Sequence, residues 1–378
     1  ALKGAAFAGN PVEVDGNIAI GAFALDATAD NSHTGTIAIG HQSLSSLTSG
    51  NYNVAIGYQT LYNTVTHQYN VAIGYTTLRD CVGNANTGVG YASLRSNAAG
   101  QYNTALGLES LYSNSSTSNN TGLGYQSGYY TTGADNTYVG YAAGKGASGA
   151  EASNVAVGKE ALTSISTGTR NIAIGYDAAK ALTSANRNLA IGYEALRTED
   201  ADGDRTTAIG YQALYSQNGG TEAMGNTAVG YLSGYYNVTG INNTYVGYGT
   251  GGSGGGSTNN HSNNTGVGYK ALEGITTGNE NVAMGASAML SSTTAQYTVA
   301  IGNSAMAGAV TTGHSNVGVG ASTLYYNTSG TSNIGIGYQT GFYNATGINN
   351  VYIGYTAGKG ASGGNNSSNI GIGYEIQI

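Results

Sequence analysis

Asn53-Val54-Ala55-Ile56-Gly57-Tyr58-Gln59-Thr60-Leu61 is followed, after Tyr62 to Tyr69, by Asn70-Val71-Ala72-Ile73-Gly74-Tyr75-Thr76-Thr77-Leu78. The two stretches match column by column, and the match continues along the chain. Aligned on the glycine, the motif occurs 21 times between Gly21 and Gly373, and 11 of the 20 spacings are 17 residues, the rest lying between 16 and 21. A period this regular marks one stacked array, so the 378-residue length sets no domain count.

Each column has its own chemistry. The residue before the glycine is apolar in all 21 copies, and the residue two earlier is Val, Ile, Thr or, once, Leu189. Between them stands Ala or Gly, except at Tyr138, Tyr245 and Tyr352. Asparagine lies four before the glycine in 18 copies, with Thr36, Thr206 and Thr298 the exceptions, and tyrosine follows the glycine in 14. Side chains alternate in a strand, so the two apolar columns share one face and the Ala/Gly column takes the other. β-Branched residues suit such a surface. Helical spacing of apolar residues is absent, and the segments between strands are turn chemistry.

The expected fold class is therefore all-β: a parallel β-solenoid, or β-roll, of about 21 short coils. The apolar columns are expected to form the core, with the leucine four after the glycine (Leu61, Leu78, Leu94, Leu111, Leu196, Leu214) as its second wall. Stacking coils makes asparagine and tyrosine ladders, and at about 4.8 Å per strand the array would span on the order of 100 Å. Residues 1–16 read as an N-terminal cap or connector and 17–378 as the repeat solenoid.

A longer period lies on top. Gly124-Tyr125-Gln126-Ser127-Gly128-Tyr129-Tyr130 has close copies at Gly230 to Tyr236 and Gly337 to Tyr343, which begin 106 and 107 residues further on. Six-coil super-repeats thus start near 124, 230 and 337. In each, the wall leucine becomes glycine, and the next coil carries the odd tyrosine. These two-coil nodes, near 124–146, 230–252 and 337–360, are expected to bulge and to present Tyr129, Tyr130, Tyr138, Tyr235, Tyr236, Tyr245, Phe342, Tyr343 and Tyr352 as surface contacts.

The repeats Asn53 to Gly57 and Asn70 to Gly74 resemble the head repeats of trimeric autotransporter adhesins. Thr207-Ala208-Ile209-Gly210-Tyr211-Gln212-Ala213-Leu214 is similar to shaft repeats of bacteriophage tail fibres. The resemblance covers roughly residues 17–374. It implies a left-handed parallel β-roll assembled as a homotrimer, in which the small Ala/Gly column lets protomers approach closely. It also implies a virion or bacterial cell-surface location, and tail-fibre proteins with such repeats often end in a self-cleaving chaperone domain.

Composition narrows the function. The net charge of −7 and the lack of a basic run argue against nucleic acid. No apolar run is long enough for a membrane span, and no secretion signal is expected at the N-terminus. Cys81, the single cysteine, reads as a buried, inert thiol. The five histidines, His33, His41, His67, His261 and His314, show no metal spacing and read as surface residues. Glu199 to Asp204 reads as a solvated acidic turn rather than a calcium loop. Gly144-Lys145-Gly146 and Gly358-Lys359-Gly360 lack the spacing of a phosphate loop. No cofactor, metal or catalytic residue is expected.

The leading expectation is a structural and adhesive fibre shaft, most simply a phage tail fibre, that extends a receptor- or host-binding tip. A host-surface glycan or protein is the expected external partner. A bacterial adhesin or extracellular filament subunit is the alternative. Ice binding ranks lower, because threonines such as Thr87 and Thr104 are expected to share the core face. An enzyme ranks last, since repeated coils offer no unique pocket.

Overall fold

The computed structural model describes residues 14–27, 33–147, 149–199, 203–219, 224–252, 259–308, 310–360 and 366–377. It is a parallel β-solenoid with no α-helix among these residues. Two compact units divide the chain, Ala1–Ala185 and Asn186–Ile378. Among the described residues, the first holds ten three-residue strands from Ile18–Ile20 to Ile172–Ile174. The second holds eleven, from Leu189–Ile191 to Ile370–Ile372. Within each unit every strand pairs in parallel with its successor, one coil on. The register puts like on like: Val54 opposite Val71, Ala55 opposite Ala72 and Ile56 opposite Ile73. The expected cap region 1–16 falls mostly outside the described residues, but Val14–Asp15 pairs with His33–Thr34.

The faces are reversed from the sequence expectation. The Ala/Gly column points inward: Ala38, Ala55, Ala72 and Ala105 are fully buried, together with Leu61, Leu78, Leu94 and Leu111 of the second wall. The apolar columns point outward, with Leu106 52% and Ile336 40% exposed. The physical reason is width. A Cβ on Gly122 would lie 2.5 Å from Ser110 Oγ and 2.8 Å from Leu111 Cγ. On Gly88 it would lie 2.7 Å from Thr77 Cγ2. The strand backbone is that close to the opposite wall, so only small residues fit inside. It follows that the Ala/Gly column cannot mediate protomer contact.

The wall leucines stand on left-handed backbone, with φ of 49° at Leu61, 50° at Leu78 and 51° at Leu94. That conformation costs on the order of 1 kcal/mol per residue. Bonds between coils hold it: the N–H of Leu78 donates to Ser93 O at 2.9 Å and that of Leu94 to Ser110 O at 3.0 Å.

Asparagine forms the polar spine. Asn86 Oδ1 accepts from the N–H of Asn103 at 3.0 Å, while Asn86 Nδ2 donates to Gly100 O at 2.9 Å. Asn103 repeats the pattern, accepting from Asn120 N–H at 2.9 Å and donating to Thr117 O at 2.9 Å. Buried carboxamides are thus satisfied by the next coil, and each coil needs its neighbour.

Beside the leucines runs a buried hydroxyl column, legible in the sequence but not singled out there. Ser43 Oγ donates to Ala55 O at 2.9 Å and Ser110 Oγ to Gly122 O at 2.8 Å. It ties the inner strand to the opposite wall.

Candidate interaction surfaces and buried nodes

Two aromatic rows run outside the coils. The first is the tyrosine after the glycine. Its rings stack at strand spacing, as in Tyr58 on Tyr75 at 5.0 Å and Tyr211 on Tyr231 at 5.0 Å between centroids. His41 joins this row, stacked on Tyr58 at 5.5 Å. Aromatic neighbours stacked at strand spacing stabilise one another.

The second row lies five residues after the glycine, in a column that holds aromatic residues together with Arg79, Arg95, Lys145, Lys180, Arg197 and Lys359. It contains Tyr129, Tyr235 and Phe342, which stack on Tyr112, Tyr215 and Tyr325 at 4.9, 5.0 and 5.1 Å. Arg95 and Arg197 lie over Tyr112 and Tyr215 at 5.7 and 5.6 Å and donate to their hydroxyls at 2.7 and 2.8 Å. Lys359 lies over Phe342 at 5.7 Å. In each node the following ring is turned across the stack: Tyr130 by 76°, Tyr236 by 81° and Tyr343 by 87°. Tyr130 is exposed, and Tyr236 and Tyr343 are half-buried. Three of the nine residues expected as contacts therefore lie on this row and three more lie directly beside it.

The other three are not at the surface. Tyr138 and Tyr245 are fully buried and Tyr352 is 2% exposed. They occupy the inward Ala/Gly column, and their rings fill the space that the wall leucines vacate. A Cβ on Gly128 would stand 2.8 Å from Tyr138 Cδ2, and one on Gly144 would fall within the ring's own envelope. The same two-sided fit recurs for Tyr245 between Gly234 and Gly251, and for Tyr352 between Gly341 and Gly358. Gly144 and Gly358, the first glycines of Gly144-Lys145-Gly146 and Gly358-Lys359-Gly360, thus have a packing reason. The nodes near 124–146, 230–252 and 337–360, where bulges are expected, are described throughout, and their strands keep the in-register parallel pairing of the other coils.

Further corrections concern titratable groups. His33 and His261 are buried, not surface residues. Glu199 is buried too and accepts from Gln217 Nε2 at 3.2 Å, so it is not a solvated turn residue, while Asp200, Ala201 and Asp202 lie outside the described residues. Gln217 also donates to Thr206 Oγ1 and accepts from Asn226 Nδ2, both at 3.0 Å, bridging the break that Thr206 makes in the asparagine spine.

Cys81 is buried as expected, and burial pushes its thiol up to about 11. It belongs to an interior column, seven after the glycine, that also holds Leu47, Thr64 and Asn97. Among the described residues no group of three His, Cys, Asp or Glu side chains could hold a metal ion. No helix among them is long and apolar enough to cross a membrane.

The chain matches no protein-family model, and no curated protein aligns with it. Functional argument rests on the solenoid and its surfaces.

Proposed function

We propose that this chain is a non-enzymatic structural fibre subunit, a homotrimeric shaft that extends a receptor- or host-binding tip at a virion or bacterial surface. The observation that carries it is the outward apolar face. Every three-residue strand offers two side chains there, among them Leu106, Ile172, Ile174, Ile334 and Ile336 at 37% exposure or more. Contiguous apolar surface beyond a few hundred Å² marks an interaction site, and burying it supplies about 25 cal/mol per Å². Because the face repeats with every coil, another chain of the same period matches it coil for coil, which favours self-association. The aromatic–basic row lies off this strand face and stays available to a host-surface glycan or protein.

Sedimentation measures the mass. A species of three 38.0 kDa chains supports the shaft, and a stable single chain sinks it. Electron microscopy of the native assembly separates a phage tail fibre from a bacterial adhesin by what the fibre is attached to.

One observation favours a second reading. The threonines expected on the core face point outward instead. They run in register from Thr87 through Thr104 and Thr121 to Thr137, and from Thr207 through Thr227 and Thr244 to Thr265. A regular outward threonine row suits ice binding, and a thermal hysteresis measurement decides it: none leaves the shaft reading alone.

A further inference from the structure

The residue three before each spine asparagine offers its carbonyl to the carboxamide of the preceding coil. It is usually small, as at Gly83, Gly100 and Gly168, which accept from Asn70, Asn86 and Asn154 at 3.0, 2.9 and 2.8 Å. In the coil that follows each node tyrosine the same position is large. Glu151 accepts there from Asn136 at 3.2 Å, His261 from Asn243 at 2.7 Å and Asn366 from Asn350 at 2.7 Å. The three nodes therefore carry an acid, a base and an amide at one equivalent place.

In the second node, Tyr245 Oη and His261 Nδ1 are 2.8 Å apart, and both residues are fully buried. Around Gly252, the imidazole Nε2 shares its surroundings with Asn259 Nδ2 and the carbonyl of Ile275. Among the described residues, Tyr245 is the titratable group facing the ring, and none that is charged bears on it. Burial alone lowers the imidazole to about 4. In the first node, Glu151 is fully buried beside Tyr138, the hydroxyl of Thr131 and the backbone of Thr132 and Gly133. Among the described residues, Tyr138 is its titratable neighbour, and none is a cation that balances it. Burial raises this carboxyl to about 8.

We propose that the nodes are proton-operated latches of opposite sense: the second loosens on acidification, when His261 gains a proton, and the first loosens as pH rises, when Glu151 loses one. The third node, with Asn366 in that place, is insensitive. The signs follow from linkage. An opened second node binds a proton below the ordinary 6.5, a closed one only below about 4, so closure weakens as pH falls through that window. An opened first node ionises above the ordinary 4.5, a closed one only above about 8, so closure weakens as pH rises through that window. Each effect amounts to about tenfold in the opening constant per pH unit.

Hydrogen exchange of the full chain, corrected for intrinsic rates, reads all three nodes in one sample. Opening around Tyr245 and His261 should grow about tenfold per unit of acidification, opening around Tyr138 and Glu151 about tenfold per unit of alkalinisation, and opening around Tyr352 should stay flat. His261→Asn and Glu151→Asn, which install the residue the third node already carries, should flatten the first two responses. A shared pH response of all three nodes, or responses that survive these substitutions, would overturn the proposal.

Discussion

The ring of Tyr138 and the missing side chain of Gly144 occupy one space, contributed by the same coil from opposite walls. The backbone of Gly144, at φ 53°, is that of the ordinary wall leucines, so conformation alone would admit leucine there. The ring is what excludes it. Gly144→Leu is expected to destabilise by about 1–3 kcal/mol through overpacking. Adding Tyr138→Ala should recover much of the loss, because it rebuilds an ordinary coil. Denaturant midpoints of the two single variants and the pair give the coupling, and additivity would refute the shared-space argument.

Asn103 accepts from the coil after it and donates to that coil's turn. Asn103→Ala leaves the buried N–H of Asn120 without that partner, at about 1–3 kcal/mol, while the carbonyl of Thr117 keeps its bond from Asn114 Nδ2. Asn103→Thr should cost less, since the column already accommodates Thr206 and Thr298, whose backbone N–H groups donate to Asn188 Oδ1 and Asn281 Oδ1. Thermal denaturation of both variants checks the order.

Leu106→Lys with Ile174→Lys changes two outward residues of the apolar face. The chain should fold unchanged, with a stability shift within about 0.5 kcal/mol per site. On the proposed trimer, its mass should fall from three chains to one. A variant that remains trimeric would place the interface elsewhere.

Cys81 should resist a thiol reagent at about pH 8 until the chain is unfolded, because burial holds the thiol up at about 11 and the thiolate is the reactive form. Rapid labelling of the native protein would contradict its place in the interior column.

The repeat, the strands and the ladders were legible because period and alternation are one-dimensional signals. Which face is inside was not. Val54 and Ile56 look like core by hydrophobicity, while Ala55 looks like a surface spacer. The deciding quantity is the distance between walls, which the sequence states only through the small size of Ala55 and its equivalents. The nodes show the same gap. The sequence shows that leucine is lost where tyrosine is gained, and reading both as volume would have placed Tyr138 inside. Glu151 and His261 were missed because their column is defined by a carbonyl, which any residue supplies.

In-register pairing makes coils interchangeable parts, and that has a genetic consequence. Recombination between repeats that adds or removes a whole coil keeps every backbone bond and every spine contact in place. A node is different, because Gly128 and the pair Tyr138 and Gly144 come from successive coils. A crossover between those two coils strands a tyrosine without its cavity, or a cavity without its tyrosine. Duplication of intact six-coil blocks would keep each pair linked, and the copies that begin 106 and 107 residues apart have the spacing such a duplication would leave.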